Sequence, residues 1–279
     1  MEINHDGADF KAPWEDSLII AVRDLQWRKS LERLLTGKLS ALPDPLFKLG
    51  GTAENALGDV GIAVNSRHYL LEFKRDAKQT FDEVDKPLVK IMKQVHGSAD
   101  SKHRDRFIKI SRRGHHFVFS EKAPGQQPKV AGVAKEAAII IQTSPYFDEA
   151  AKMTKTGELS AATEIVELLY PAGKTGSGLL ANEMLAYIKV LVEAHAKSEG
   201  DDGQVYPFKG VVLNDRGFFW PMNNLADLSE LQIILTGRTD SELVKAATIE
   251  HSKMSKILKD IAAGTKKVAA KSATKKLPQ

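Results

Sequence analysis

The chain of 279 residues contains no cysteine. Disulfides and thiolate-held zinc are therefore excluded, which suits a reducing compartment. No apolar run approaches the ~20 residues of a membrane-spanning helix. The segment Met1 to Lys11 is polar and carries Asp and Glu, unlike a secretory signal, so a cytoplasmic location with no membrane partner is the expectation. A strong charge of one sign is also lacking: 40 Lys and Arg stand against 36 Asp and Glu, a formal net charge of +4. The excess is local. Residues 251–279 hold eight lysines and one acid, Asp260, and the remainder is slightly acidic. Nucleic-acid contact by the globular part must therefore rest on patches, not on total charge. Hydrophobic residues make up 42% of the chain, enough to build a core.

The most informative stretch is 58–75. Val60, Ile62 and Val64 alternate with Asp59, Gly61 and Ala63; then Tyr69, Leu71 and Phe73 alternate with His68, Leu70, Glu72 and Lys74. Period-two alternation of this kind predicts two strands with one apolar face each. Asn65-Ser66 lies between them as the turn. A two-residue loop puts Asp59 directly opposite Glu72, on the face away from Val60 and Leu71. Like charges so placed repel. A shared proton, a basic neighbour such as Lys74, or a bound cation would offset that repulsion, and two carboxylates beside Gly61 and Ala63 suit a hard divalent ion. A four-residue loop instead sets Asp59 against Lys74 as an ordinary surface ion pair of small value. Alternation alone leaves both registers open.

Asp59, followed thirteen residues on by Glu72-Phe73-Lys74, resembles the signature of the PD-(D/E)XK, or restriction-endonuclease-like, nuclease superfamily. Gly58 stands where that signature often has Pro. The resemblance covers roughly residues 15 to 120. It implies a core of a helix, a meandering sheet and a second helix, and a metal-dependent nuclease. It further implies Asp59, Glu72 and Lys74 as catalytic residues. Mg2+ or Mn2+ would be held by Asp59, Glu72 and the Phe73 carbonyl, with Glu54 or Glu32 as a further acidic ligand. Homodimers and larger nuclease complexes are known among proteins of this kind.

Around this stretch the pattern predicts a helix over 14–35, capped by Asp16 or Ser17 and ended by Gly37, with Leu18, Ala21, Val22, Leu25, Leu31, Leu34 and Leu35 as its apolar stripe. A first strand is expected at 46–49. A helix is expected over 80–96, or from Pro87 with proline in its first turn. Residues 100–106 read as a charged loop. Residues 107–110 and 116–119 read as a second hairpin, with Arg112-Arg113-Gly114 as its turn. Lys86, Lys90, Lys93, Arg112 and Arg113 are the candidate nucleic-acid-binding residues, because cations dock a phosphate backbone and Arg forks onto phosphate. His115 and His116 are adjacent strand residues, so they point to opposite faces and are read as structural or phosphate-facing.

Further on, 137–142 reads as a strand, 147–170 as helical, 178–197 as an amphipathic helix, 205–221 as a hairpin turning at 214–217, 225–235 as a strand or short helix, and 240–261 as a helix. The glycine-rich segment 172–178 lacks the first Gly of a nucleotide-binding loop, because Leu168 stands there, and it is read as a turn. Past Gly264 the composition predicts a disordered basic tail.

The expectation is an α/β protein with a small mixed sheet flanked by helices. Residues 1–14 are a lead-in, 15–145 the nuclease-like core, 146–263 an accessory α+β region and 264–279 the tail. The expected activity is metal-dependent phosphodiester hydrolysis, in DNA first. The alternative is a non-catalytic nucleic-acid-binding or assembly subunit.

Overall fold

The alternating stretch forms β2 (Val60–Val64) and β3 (Arg67–Asp76). Their ladder pairs Val64 with Arg67, Ile62 with Tyr69 and Val60 with Leu71, the register of a two-residue turn, in which Ser66 has φ of 62°. The alternative register, Asp59 opposite Lys74, is thereby overturned. β1 (Leu46–Lys48) pairs antiparallel with β2, so the three strands meander. These and the following observations come from a computed structural model, which describes residues 12–37, 43, 46–49, 58–64, 66–122, 139–152, 162–171, 177–199, 207–213, 219–224 and 241–258; for 47, 152, 196–199, 207–213 and 219–224 it describes the backbone alone. Glu54, Asn65, residues 1–11 of the lead-in, the turn at 214–217, residues 225–235, most of the 172–178 segment and the tail lie outside the described residues.

Helix α1 (Glu15–Leu35) forms where expected, but its start and its buried side differ from expectation. Trp14 is the N-cap, with no side-chain hydrogen bond, and Asp16 pairs with Lys48 instead. The buried positions are Leu18, Val22, Gln26 and Ser30, one ridge at four-residue spacing. Polar residues continue that ridge because Gln26 finds a backbone partner on the sheet: its side-chain amide donates to Ala63 O at 3.1 Å. Leu31, Leu34 and Leu35, off the ridge, are exposed.

The connection after β3 brings the chain back over that strand. The ladder between β3 and β4 shifts register between Lys74 and Asp76. Asp76 then caps a 3-10 helix (Ala77–Asp85) by accepting from the N–H groups of Lys78 and Gln79. Helix α2 (Pro87–His96) starts at the proline, and Lys86 before it is extended, with φ −61° and ψ 144°, as a residue preceding proline is constrained to be. Residues 100–114 correct two expectations. They form neither a loop nor half of a hairpin but helix α3 (Ser101–Gly114), capped by Asp100 through the N–H of His103. Phe107, Ile110, Ser111 and Gly114 make its buried side, a helical spacing that the short run 107–110 could not reveal.

Strand β4 (His115–Lys122) is parallel to β3, as a helical crossover requires. β5 (Ile139–Pro145) and β6 (Thr163–Glu164) complete a six-stranded sheet in sequence order, antiparallel except at β3–β4. Helices α4 (Tyr146–Lys152), α5 (Ile165–Leu169), α6 (Ala181–Glu199) and α7 (Ser241–Met254) follow, and β7 (Pro207–Leu213) pairs with β8 (Phe219–Asn224) as the expected separate hairpin.

Helices cover both sides of the sheet. On one side Leu18 and Val22 of α1 and Ile165 and Leu169 of α5 pack on Val60, Ile62, Tyr69, Leu71, Phe73 and Val118. On the other, Leu70, Phe117 and Phe119 meet Val89 and Met92 of α2, Phe107 of α3, Tyr146 of α4, Ile188 of α6 and Met254 of α7. The architecture is α/β, a small mixed sheet flanked by helices. Strand β3 accordingly has no solvent face, contrary to the simple alternation reading.

Among the described glycines, the one with least room for a side chain lies at the α3–β4 corner. A Cβ on Gly114 would meet Leu179 Cγ at 2.3 Å, and Leu179 is itself fully buried. Gly114→Ala is expected to destabilise the protein by about 2 kcal/mol, in the range for overpacking a core. Denaturant unfolding measures this, and an unchanged midpoint would mean that Leu179 moves aside without strain.

Candidate functional site

Asp59 lies one step past the last β2–β3 ladder pair, so the register carries it opposite Glu72. Its N–H donates to Leu71 O at 3.0 Å, and its Oδ2 accepts the Phe73 N–H at 2.6 Å. Gly58 before it has φ of 103°, which the proline of the resembled signature cannot adopt. A Cβ at Gly58 would stand 3.3 Å from Glu72 Oε2. The side chains of Glu72 and Lys74 point into the layer of α2, α3 and α4. Asp59, Glu72 and Lys74 are 9%, 1% and 8% exposed, so this is a buried cluster and not a surface ion pair.

The returning connection closes a ring of charges over β3. Lys74 Nζ stands 2.8 Å from Glu72 Oε1 and 3.0 Å from Glu83 Oε1. Lys86 Nζ lies 2.9 Å from the same Glu72 oxygen and also pairs with Glu83 Oε2. Glu15, the first residue of α1, reaches within 3.9 Å of Lys74. Asp59, Glu72 and Glu83 together outnumber the two lysines. Burial raises the Glu83 carboxyl, Glu72 adds to this, and the lysines offset only part of it. Burial alone would depress Lys74, but Glu72 and Glu83, with Asp59 beyond, outweigh it and hold its pKa above the ordinary lysine value. The same carboxylates hold Lys86 up against its own burial. Both lysines are therefore kept charged.

An aromatic column flanks the ring. His115 stacks on Tyr146 with ring centroids 4.3 Å apart, and Tyr146 stacks on Phe117 at 4.4 Å. His115 Nδ1 is 3.1 Å from the Tyr187 hydroxyl, which donates to Ser111 Oγ at 2.8 Å. Burial, then Glu72, Glu83 and other neighbouring groups, raise the Tyr146 hydroxyl well above its usual pKa. Burial, with His116 adding to it, depresses His115 to about 3. His116 lies on the opposite face near Tyr69; burial takes it to about 4, against smaller upward contributions from the Arg113 backbone and Asp148.

The other expected residues are dispersed. Glu32 is on the outer face of α1, paired with Lys29 at 2.8 Å and Arg28 at 3.8 Å; the acid that α1 brings to Lys74 is Glu15. Lys86 belongs to the ring. Lys90 is exposed and Lys93 half-buried on α2, and no carboxylate among the described residues pairs with either. Arg112 and Arg113 sit in the last turn of α3, not at a hairpin turn, and face Asp148 at 2.7 Å and Glu183 at 2.9 Å. Sequence reasoning missed Glu83, Glu15 and Tyr146 and read His115 as structural or phosphate-facing. The one available signal was Glu83-x-x-Lys86 before Pro87, a spacing that also fits any solvated turn. Among the described residues no three or more His, Asp or Glu side chains are grouped so as to hold a metal ion.

Comparison with family models, with curated proteins and with solved structures finds no match to this chain. The functional reading therefore rests on the site itself.

Two predictions follow from its electrostatics. Glu83→Ala leaves Lys86 with Glu72 alone and Lys74 with Glu72 and the more distant Glu15, and is expected to destabilise by about 3 kcal/mol, the range for breaking a buried pair; unfolding with unchanged stability would show that solvent replaces Glu83 without penalty. Because His115 and His116 have depressed folded-state pKa values, their contribution is complete above about 6.5 and is lost as pH falls through about 4 and then 3. Stability measured from pH 7 to pH 4 should fall less steeply in His116→Phe than in the natural chain. Parallel pH profiles would contradict the assignment.

Proposed function

We propose that the chain hydrolyses phosphodiester bonds in nucleic acid, DNA first, using Mg2+ or Mn2+ held by Asp59 and Glu72. The observation that carries this reading is the β2–β3 register, which sets Asp59 opposite Glu72 with Lys74 on the same face. The order of a helix, a meandering sheet and a second helix, implied by the resemblance to PD-(D/E)XK nucleases, is also the order of α1, β1–β3 and α2. The residues fit a hard cation. They offer carboxylate oxygens, the cluster holds more acids than bases, and Gly58 leaves space beside Glu72 Oε2 that a Cβ would fill. The Phe73 carbonyl is the third oxygen that the resemblance assigns.

A divalent cation supplies Lewis-acid chemistry there, lowering the pKa of a bound water and offsetting phosphate charge. Asp59 and Glu72 would hold it. Lys74, kept charged by Glu72 and Glu83, supplies a fixed cation toward which negative charge can develop on the phosphate. Lys86, half-buried at the edge of the ring, and Lys90 and Lys93 beyond it, which pair with no carboxylate among the described residues, supply cations toward a phosphate backbone.

A second reading is a non-catalytic nucleic-acid-binding or assembly subunit. It is favoured by the closed ring: Glu72 Oε1 already holds two lysines, and Asp59 Oδ2 already holds a backbone N–H. A cleavage assay on supercoiled plasmid and single-stranded DNA, with Mg2+, Mn2+ or EDTA, separates the two. The natural chain is expected to nick with either ion and not with EDTA, and Lys74→Ala is expected to lose about a hundredfold or more in rate. Cleavage that persists unchanged in Lys74→Ala or Asp59→Ala would sink the proposal.

A further inference from the structure

Two fully buried polar atoms beside Glu72 have no hydrogen-bond partner among the described residues: His115 Nε2 and the Tyr146 hydroxyl. Such atoms also occur elsewhere among the described residues, at both ring nitrogens of His116 and at Ser144 Oγ, and each asks for an ion, a water or a chemical role; these two are set apart by their place beside Glu72. The tautomer of His115 follows from its neighbours. Tyr187 has one hydroxyl proton and donates it to Ser111 Oγ. Its oxygen can then only accept from the imidazole, so Nδ1 carries the hydrogen and Nε2 carries a lone pair.

That nitrogen borders the space beside Gly58. A Cβ there would lie 3.5 Å from His115 Nε2 and 3.3 Å from Glu72 Oε2. The chain has glycine at this position, so the space stays clear of side chain. The third bordering atom, Leu71 O at 3.3 Å, already accepts the Asp59 N–H; Glu72 Oε2 and His115 Nε2 are both acceptors, and two acceptors are satisfied together by a cation or by a donor of hydrogens. Glu72 Oε1 is turned to the two lysines, which leaves Oε2 as the oxygen on the histidine's side.

We propose that His115 Nε2 is a nitrogen ligand of the divalent cation, alongside Glu72 Oε2, with Tyr187 as the positioning residue that fixes the imidazole tautomer. The assignment rests on the metal-dependent reading above. Its consequence is ion selectivity. Imidazole nitrogen suits transition-metal ions, whereas Mg2+ prefers oxygen throughout, so the site should prefer Mn2+ to Mg2+. A hydrogen bond that holds the far nitrogen of a ligand histidine is the usual way such a ring is oriented.

The test is calorimetric titration of the full chain with Mn2+ and with Mg2+, for the natural protein, His115→Phe, Tyr187→Phe and Asp59→Asn. The His115 imidazole nitrogens are followed by 15N resonance. His115→Phe keeps the stack on Tyr146 and is expected to weaken Mn2+ binding about tenfold or more while changing Mg2+ binding little. Tyr187→Phe removes a single oxygen and is expected to weaken Mn2+ binding about threefold, by releasing the other tautomer. In the natural chain Nε2 should resonate as an unprotonated nitrogen that Mn2+ broadens before those of the other histidines.

Mn2+ affinity unchanged in both His115→Phe and Tyr187→Phe, but lost in Asp59→Asn, would overturn this inference, leave the metal site standing, and assign the two orphan atoms to a buried water. No binding of either ion to the natural chain would overturn both readings. If His115→Phe does not fold, Tyr187→Phe and the Nε2 resonance still decide the question.

Discussion

The structure turns on one buried carboxylate. Glu72 stands at the centre of the sheet, under helices, with 1% of its surface exposed. An ionised carboxylate at that depth, left alone, would cost several kcal/mol in lost hydration. Two lysine ammonium groups meet it, and a second buried carboxylate, Glu83, holds those lysines in place. The local geometry serves that arrangement. The register shift after Lys74 ends regular pairing, Asp76 caps the 3-10 helix, and Pro87 holds Lys86 extended at the point where it reaches back to Glu72.

As a source of stability such a ring is modest. Replacing a buried ion cluster by apolar side chains of like volume is often neutral or favourable. The ring does provide charged groups held within about 3 Å of one another without rearrangement. It also carries an excess of negative charge close to Gly58 and His115. Those properties suit a site that exchanges part of its internal pairing for a cation.

The hairpin and its apolar face were legible, because a slip by one residue would have turned Val60, Ile62 and Leu71 out of their layer, but the choice between a two-residue and a four-residue turn was not, because those registers differ by two residues and send the same side chains to the same faces. The separation of His115 from His116 onto opposite faces followed from the same rule. The double burial of β3 was not legible: Glu72 and Lys74 at alternate positions look the same whether they face water or a buried ring. Helix α3 was hidden because Phe107 to Ile110 is too short to show a period and its neighbours are charged. Glu15 was not singled out, and Glu32 was offered only as what the resemblance implies, because only the crossing of α1 over the sheet tells which end of that helix approaches Lys74. Glu83 meets its partners across a bulge and a turn, a contact that no spacing rule encodes.

The most direct test of the central claim, that the carboxylates around Glu72 form a cation site and not a permanent internal ion pair, is thermal unfolding of the natural chain in EDTA and across a range of Mg2+ and Mn2+ concentrations. Mass action predicts a midpoint that climbs with ion concentration, with about 2.7 kcal/mol of added stability once the free ion reaches about a hundred times its Kd. A midpoint that stays where EDTA leaves it, at every concentration of both ions, would contradict the account and leave the ring as structure alone.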